Sequence, residues 1–307
     1  MKRLSRRWTM TVGWAVVLAL LAAVVFWVGP AELVAPWLAI DPFALAVALV
    51  LMLASYVLRT LRITRYFHVL LAGHFWATFR LSSWHNLMNN LLPMRSGEVA
   101  FPVLMRSYFG LSPLRSVPVL FWFRLLDLQV VVVIALFAGG AVFGLTPAWV
   151  VILVMLLVAP LGVYLLRGPL HRRVSGEGGR LRARLAEVLE ALPDRPGLFL
   201  GTMAWTWANW AVKLGALGWV LAALAPVGFV EGVLGAIGGD LTTVLPVHAP
   251  GGFGTYEAGV ALALGAFVDS GRELLAAGVN LHLFVLGSAL LAAALTLFIP
   301  RPRPGGE

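Results

Sequence analysis

The sequence contains no cysteine and few charged residues. Without cysteine, the chain can form neither disulfides nor the thiolate ligands of iron–sulfur clusters and thiolate zinc sites. Charged side chains make up 12% of the 307 residues, against about 25% in average soluble domains, while hydrophobic residues make up 60%. These proportions are typical of a polytopic membrane protein, and they leave no stretch long enough for a separate soluble catalytic domain.

Common catalytic and nucleotide-binding motifs are also missing. The sequence has no H-E-x-x-H, G-x-S-x-G or P-loop pattern, and its six histidines show no metal-ligand spacing. We therefore expect no enzyme activity, no catalytic residue, no cofactor and no metal. Among the histidines, only His248, which stands beside a Pro-Gly pair, is a candidate site residue.

The formal net charge of +9 is distributed unevenly along the chain. Basic residues cluster near both ends, at Arg59, Arg62 and Arg65, and over residues 167–195, whereas residues 32–41 and 226–231 contain none. This alternation follows the positive-inside rule of membrane proteins. It favours a multi-pass protein of the cell inner membrane with both termini in the cytoplasm, and it argues against nucleic acid as a partner.

Apolar runs of about 20 residues predict transmembrane helices. Six of them occupy residues 8–28, 43–61, 117–143, 148–166, 198–224 and 274–299. The fold class is therefore all-α, with a single transmembrane domain over residues 1–307. A cytoplasmic basic loop at residues 167–197 includes a short amphipathic helix at residues 180–192.

Two further apolar regions are interrupted by proline and glycine. The first pairs residues 75–92 with 99–109, and the second pairs residues 232–245 with 258–268. Charge bias requires the first pair to start and end inside and the second to start and end outside. We therefore predict two re-entrant helical hairpins in an inverted arrangement, which is typical of transporter sites. The alternative is that the short stretches cross fully, giving about eight spans.

Several polar residues interrupt the predicted spans, where ionisable groups often mark pathways or paired sites. Arg124 and Asp127 are three residues apart and share one helix face, so they form either a structural ion pair or part of a site. Asn209 and Lys213 are four residues apart and form a polar stripe on one helix. Lys213 needs an oppositely charged partner on another element. Asp240 or Glu257 could supply that partner, and such a contact could be purely architectural.

The two interruptions carry their own candidate groups. In the first, Arg95 can hold a phosphate or pair with Glu98, and Asn90 can bind a ligand or a neighbouring helix. In the second, glycines open a helix whose N–H groups suit a phosphate, while Glu257 either caps those groups or binds a cation. The glycines are Gly251, Gly252 and Gly254. A glutamate replaces the third glycine of a dinucleotide fingerprint here, which excludes nucleotide binding.

Together these residues resemble a known family. The matching pattern is Asn90-x-x-Pro93-x-Arg95-x-Gly97-Glu98, then Arg106, Arg124-x-x-Asp127, and Pro250-Gly251-Gly252-x-Gly254-x-x-Glu257. It is similar to the lysylphosphatidylglycerol synthase transmembrane, flippase-like family, over roughly residues 56–299. Fused members are thought to move aminoacylated phospholipid between leaflets. The present 307 residues contain no aminoacyl-transfer domain, so we expect no lysyl-lipid synthesis.

The resemblance implies a lipid translocase that moves an anionic phospholipid or lipid-linked head group between leaflets. The expected substrate-binding residues are Asn90, Arg95, Glu98, Arg124, Asp127, Asn209, Lys213, Asp240, His248, Gly251, Gly252, Gly254 and Glu257. Membrane lipids are the expected partners, with a homo-oligomer or a lipid-biosynthesis enzyme as further possibilities. Two alternatives stay open: an intramembrane transferase on a polyprenyl-linked substrate, and a non-catalytic scaffold of a lipid-synthesis complex.

Overall fold

The computed structural model describes residues 22, 26–174, 179–243 and 250–300, without the side chains of residues 32, 93–95, 180 and 250. Within these residues the chain is mostly helical and contains no β-strand. In chain order the α-helices are α1 (Pro30–Ala39), α2 (Pro42–Tyr66), α3 (Phe75–Leu91), α4 (Ala100–Phe109), α5 (Pro113–Phe143), α6 (Pro147–Val174), α7 (Arg180–Glu190), α8 (Pro196–Leu224), α9 (Phe229–Thr242), α10 (Thr255–Leu264) and α11 (Gly271–Leu295).

Five of these helices are long and apolar enough to cross a membrane: α2, α5, α6, α8 and α11 with the 3-10 turn that continues it to Phe298. They coincide with five of the six predicted spans, so the all-α polytopic fold is confirmed. Most of the first predicted span, residues 8–28, lies outside the described residues. The agreement follows from bilayer thickness, because a helix of about 20 apolar residues matches the hydrocarbon core.

Both interrupted regions fold as a helix, a break and a second helix. The first break is a 3-10 segment, Pro93–Val99, between α3 and α4. The second separates α9 from α10 and includes a short 3-10 turn over Pro250–Gly252. The predicted helix limits are correct to within about four residues. Their re-entrant, inverted placement in the membrane stays a prediction.

Two predicted connections contain more helix than expected. Within the basic loop at residues 167–197, the predicted amphipathic helix at residues 180–192 is present as α7, while α6 continues to Val174 and α8 begins at Pro196. Hydropathy marks only the apolar part of α6. Its last turn is basic, with His171, Arg172 and Arg173, and positive charges are stabilising at the negative end of the helix dipole. Helix α1, which begins with Pro30 at a favoured N-terminal position, was not predicted.

The chain divides into two compact units, which we call the first and the second unit. The first comprises Met1–Leu53, Ser83–Glu98 and Val212–Leu295, and the second comprises Ala54–Ser82, Val99–Ala211 and Thr296–Glu307. In the second unit an aromatic core joins α5, α6 and α8. The Phe199 ring stacks on Tyr164 at 4.2 Å and on Trp122 at 6.2 Å, measured between ring centroids.

In the first unit, glycines let α9 and α10 approach closely. A Cβ atom at Gly238 would lie 2.3 Å from the Gly259 carbonyl oxygen, and one at Gly259 would lie 2.4 Å from the Gly238 carbonyl oxygen. Side chains cannot occupy these positions without separating the two helices. Small residues are the usual means of packing helices inside membranes, where no hydrophobic driving force acts between them. This contact fixes α10, and with it Glu257, against the rest of the unit.

Replacing Gly259 with alanine is expected to lower the free energy of unfolding by about 1–3 kcal/mol, the usual cost of overpacking a close contact. Gly215→Ala is the matched control, because a Cβ atom at this α8 position meets no atom within 4 Å. Thermal unfolding of both variants in the same detergent measures the difference. Equal melting temperatures for Gly259→Ala and Gly215→Ala would contradict the close packing.

Candidate functional site

The second break is a run of glycines in conformations that other residues rarely adopt. Gly251, Gly252 and Gly254 have φ angles of 71°, 75° and 86°. These positive φ values lie in or near the left-handed region, which costs L-residues with a Cβ atom about 1–2 kcal/mol each. The glycines therefore allow the chain to turn sharply and to start α10 at Thr255.

Glu257 lies in the first turn of α10 and is buried, with 2% of its surface exposed. One carboxylate oxygen, Oε2, accepts a hydrogen bond of 2.7 Å from the Gly254 backbone N–H. The other, Oε1, lies 2.7 Å from Nδ1 of His282 on α11. A carboxylate near the helix N-terminus is favoured by the dipole and by the unsatisfied N–H groups there. Of the two predicted roles for Glu257, capping is therefore realised.

His282 completes this arrangement and was not predicted as a site residue. Its ring is buried on α11, stacks on Tyr256 at 4.5 Å between ring centroids, and contacts Phe253 at 4.9 Å. Metal-ligand spacing could not identify His282, because its partner, Glu257, lies 25 residues away on another helix. The signal that could have found it is its position inside an apolar span, where an ionisable side chain needs a partner. We call Glu257 and His282 the dyad.

Lys213 and Asp240 form a second pair in the first unit. The Lys213 Nζ atom lies 2.7 Å from Asp240 Oδ2, and the Asp240 side chain is 7% exposed. Of the two partners predicted for Lys213, the structure therefore selects Asp240, while Glu257 pairs with His282 instead. Joining α8 to α9, the pair neutralises two charges that would be costly alone in the membrane.

The first break also holds a glutamate beside a histidine. Asn89 donates a hydrogen bond of 2.9 Å to Glu98 Oε1, and His85 Nε2 lies 3.4 Å from Oε2. Gly97 makes this possible, since a Cβ atom there would lie 2.4 Å from the Met88 carbonyl oxygen. Sequence reasoning did not identify His85. Both breaks therefore place a glutamate within 3.4 Å of a histidine on a neighbouring helix.

In the second unit, Asp127 is surrounded by donors. Its carboxylate lies 2.5 Å from Arg62 Nη1 and 3.2 Å from Arg124 Nη1, and it accepts a hydrogen bond of 2.9 Å from Trp210 Nε1. The predicted Arg124–Asp127 contact is present, but the main partner is Arg62, which is 2% exposed. Arg62, which the sequence places in a basic cluster, is therefore a buried ion-pair partner in the structure. The predicted ion pair is therefore present, and a role of Arg124 and Asp127 in substrate binding stays a prediction.

Of the remaining predicted residues, the structure describes the side chains of Asn209 and Asn90. Asn209 is buried on α8, and Asn90 is half-buried near the end of α3. The Arg95 side chain and all of His248 lie outside the described residues. Among the residues that the structure describes, no three His, Cys, Asp or Glu side chains form a group that could hold a metal ion.

Comparison with known proteins identifies a family. Residues 13–294 match the family described as "Lysylphosphatidylglycerol synthase TM region". A search among curated proteins finds no match. The matched segment contains both helix breaks, the dyad, the Lys213–Asp240 pair and the Arg62–Asp127 pair, and it confirms the resemblance found from the motifs. The chain therefore belongs to the lysylphosphatidylglycerol synthase TM region family, whose description connects it with membrane lipids.

Proposed function

We propose that the protein is a lipid translocase, which moves a phosphate-bearing lipid head group between the two leaflets of the cell inner membrane. The observation that carries the proposal is the dyad, a buried carboxylate–imidazole pair at the glycine-rich break between α9 and α10. Family membership supports a role with membrane lipids. Neither observation identifies the lipid, so the proposed substrate is either an anionic phospholipid or a lipid-linked intermediate.

The physical basis is the cost of moving a polar head group through hydrocarbon. A head group crosses readily only where protein groups replace its water, and helices broken at membrane depth supply such groups. The second break offers the carboxylate of Glu257, and the first offers Glu98. In this proposal these carboxylates, with Asp240, meet cationic or hydroxyl groups of the head group, while the acyl chains stay in the bilayer.

Donors for the lipid phosphate need a revised assignment. The sequence suggested the N–H groups at the glycine-opened start of α10, but the Gly254 N–H is engaged by Glu257. A phosphate at that point would compete with a carboxylate and would be repelled by it. Arg95 in the first break remains the proposed hydrogen-bond donor to the lipid phosphate. Lys213 and Asn209 remain proposed to line the path of the head group. Movement would proceed down a gradient or be coupled to protons carried by the carboxylates.

Reconstituted vesicles test the proposal. Purified protein is placed in proteoliposomes that contain a fluorescent phosphatidylglycerol, and an external reductant destroys the label in the outer leaflet. Translocation by the protein predicts continued loss of the inner-leaflet signal, whereas empty vesicles keep that signal. Identical traces for protein-containing and empty vesicles, with both fluorescent phosphatidylglycerol and fluorescent phosphatidylcholine, would contradict translocation of phospholipids, and the same result with a fluorescent lipid-linked phosphate would contradict the proposal as a whole. A product of altered mass, or tolerance of substitutions at every intramembrane charge, would favour a transferase or a scaffold instead.

A further inference from the structure

The second unit contains a cleft that the dyad and the ion pairs do not involve. It has a volume of 590 Å³ and lies between the end of α2, the turn that follows it, the start of α3 and the first half of α8. Its lining residues are Leu61, Thr64, Arg65, His68, Leu71, Ala72, Gly73, Phe75, Gly201, Ala204 and Trp205. We call it the Arg65 cleft. The charge pattern of the sequence predicts that it opens on the cytoplasmic side.

The ionisable groups of this cleft have one sign. Arg65 and His68 are exposed, and none of the described lining residues is acidic. Arg65 forms no ion pair with any residue that the structure describes. A neighbouring cleft of 510 Å³ differs, since it places Glu187 and Glu190 beside Arg115. A guanidinium without a protein carboxylate is suited to a phosphate, which it can bind in a bidentate manner.

The rest of the lining is apolar and aromatic. Leu61, Phe75 and Trp205 face the same space as Arg65, and Trp205 is half-buried. Tryptophan commonly lies at the level of lipid head groups, where one part of the ring is apolar and the other is wet. The wall also has room, because a Cβ atom at Gly201 meets no atom within 4 Å. An amphiphile with an anionic head fits this combination better than a free soluble anion does.

We infer that the Arg65 cleft binds the phosphodiester of an anionic phospholipid, with Arg65 as the main head-group contact and Trp205 beside the first carbons of the lipid. The inference rests on the proposed function for its choice of lipid as ligand. It adds to that function an inner-face binding site that precedes or follows the crossing. The dyad then serves the crossing itself, and the Arg65 cleft serves recognition.

Calorimetric binding in detergent micelles tests this site without any transport. The probes are dioctanoyl-phosphatidylglycerol, dioctanoyl-phosphatidylcholine and glycerol 3-phosphate. The variants are Arg65→Gln, which removes the charge, and Gly201→Phe, which fills the cleft. Arg182→Gln is the control, because Arg182 is exposed on α7 and does not line the cleft. Melting temperatures establish that each variant is folded before binding is measured.

We expect the native protein to bind phosphatidylglycerol more tightly than phosphatidylcholine. Arg65→Gln should weaken the binding of phosphatidylglycerol at least about tenfold, because a charged hydrogen bond is lost. Gly201→Phe should weaken it similarly, and Arg182→Gln should change it less than about twofold. Unchanged binding by Arg65→Gln would overturn the site, and glycerol 3-phosphate binding as tightly as the lipid would overturn the choice of a lipid. Native protein that binds through Arg65 but moves no lipid would reject the proposed translocation and keep the cleft.

Discussion

Replacing Asp127 with alanine is expected to lower the free energy of unfolding by about 3–5 kcal/mol, the cost of removing one partner of a buried ion pair. The change leaves Arg62, which is 2% exposed, without the carboxylate that lies 2.5 Å from its Nη1 atom. It also removes the acceptor of the Trp210 indole hydrogen bond and the partner of Arg124. Unfolding by heat or by denaturant, in detergent or bicelles, measures the loss of stability.

Two further variants make this result specific. Asp127→Ala combined with Arg62→Met removes both charges and should recover a large part of the lost stability, because the unpaired buried cation is gone. Asp269→Ala changes an exposed aspartate and should alter stability by no more than about 0.5 kcal/mol. If Asp127→Ala is no more harmful than Asp269→Ala, the buried ion pair does not hold the second unit together.

Glu257→Gln is expected to slow lipid translocation at least about tenfold while the protein stays folded. Glutamine keeps the size of the side chain and one oxygen that can accept the Gly254 N–H hydrogen bond. It removes the negative charge that, in the proposal, meets cationic or hydroxyl groups of the crossing head group, and hydrogen bonds to charged groups contribute about 1.5–3 kcal/mol. A loss of that size corresponds to a rate change of about tenfold or more. The fluorescent-lipid assay in proteoliposomes gives the rate.

Glu273→Gln is the matched control for this prediction. Glu273 is an exposed carboxylate in the first turn of α11, so its loss removes a similar charge without touching the dyad. We expect the native rate from Glu273→Gln, and melting temperatures of both variants close to the native value. A native rate from Glu257→Gln would remove the dyad from lipid movement.

Local sequence patterns were sufficient to predict the five long apolar helices, although they missed α1. The apolar run at residues 198–224 lies within α8, Pro196–Leu224, because bilayer thickness and helical rise set its length. Proline and glycine located both helix breaks, because Pro lacks the N–H of the helix ladder and Gly adopts positive φ. The family followed from the motifs of these same breaks, which the comparison confirms.

The partners of the site residues could not be predicted in the same way. Arg62 and Asp127 are 65 residues apart, and His282 is 25 residues from Glu257, so no helical spacing relates them. A basic residue near a span end has two outcomes, solvent or a buried partner, and packing decides between them. Arg80 is a further example: this buried arginine on α3 donates to the Thr296 and Ile299 carbonyl oxygens. The local pair Arg124–Asp127, by contrast, was predictable from its spacing.

The most direct test of the central claim is a double-mutant cycle on the dyad, measured as translocation rate in proteoliposomes. Native protein, Glu257→Gln, His282→Gln and the double variant are reconstituted at equal density, and their melting temperatures are measured in parallel. If the carboxylate and the imidazole act together in lipid movement, each single change slows the rate, and the double variant is little slower than either. Native rates in all three variants would contradict the claim. So would slower rates that are fully explained by a loss of folded protein, as the melting temperatures report it.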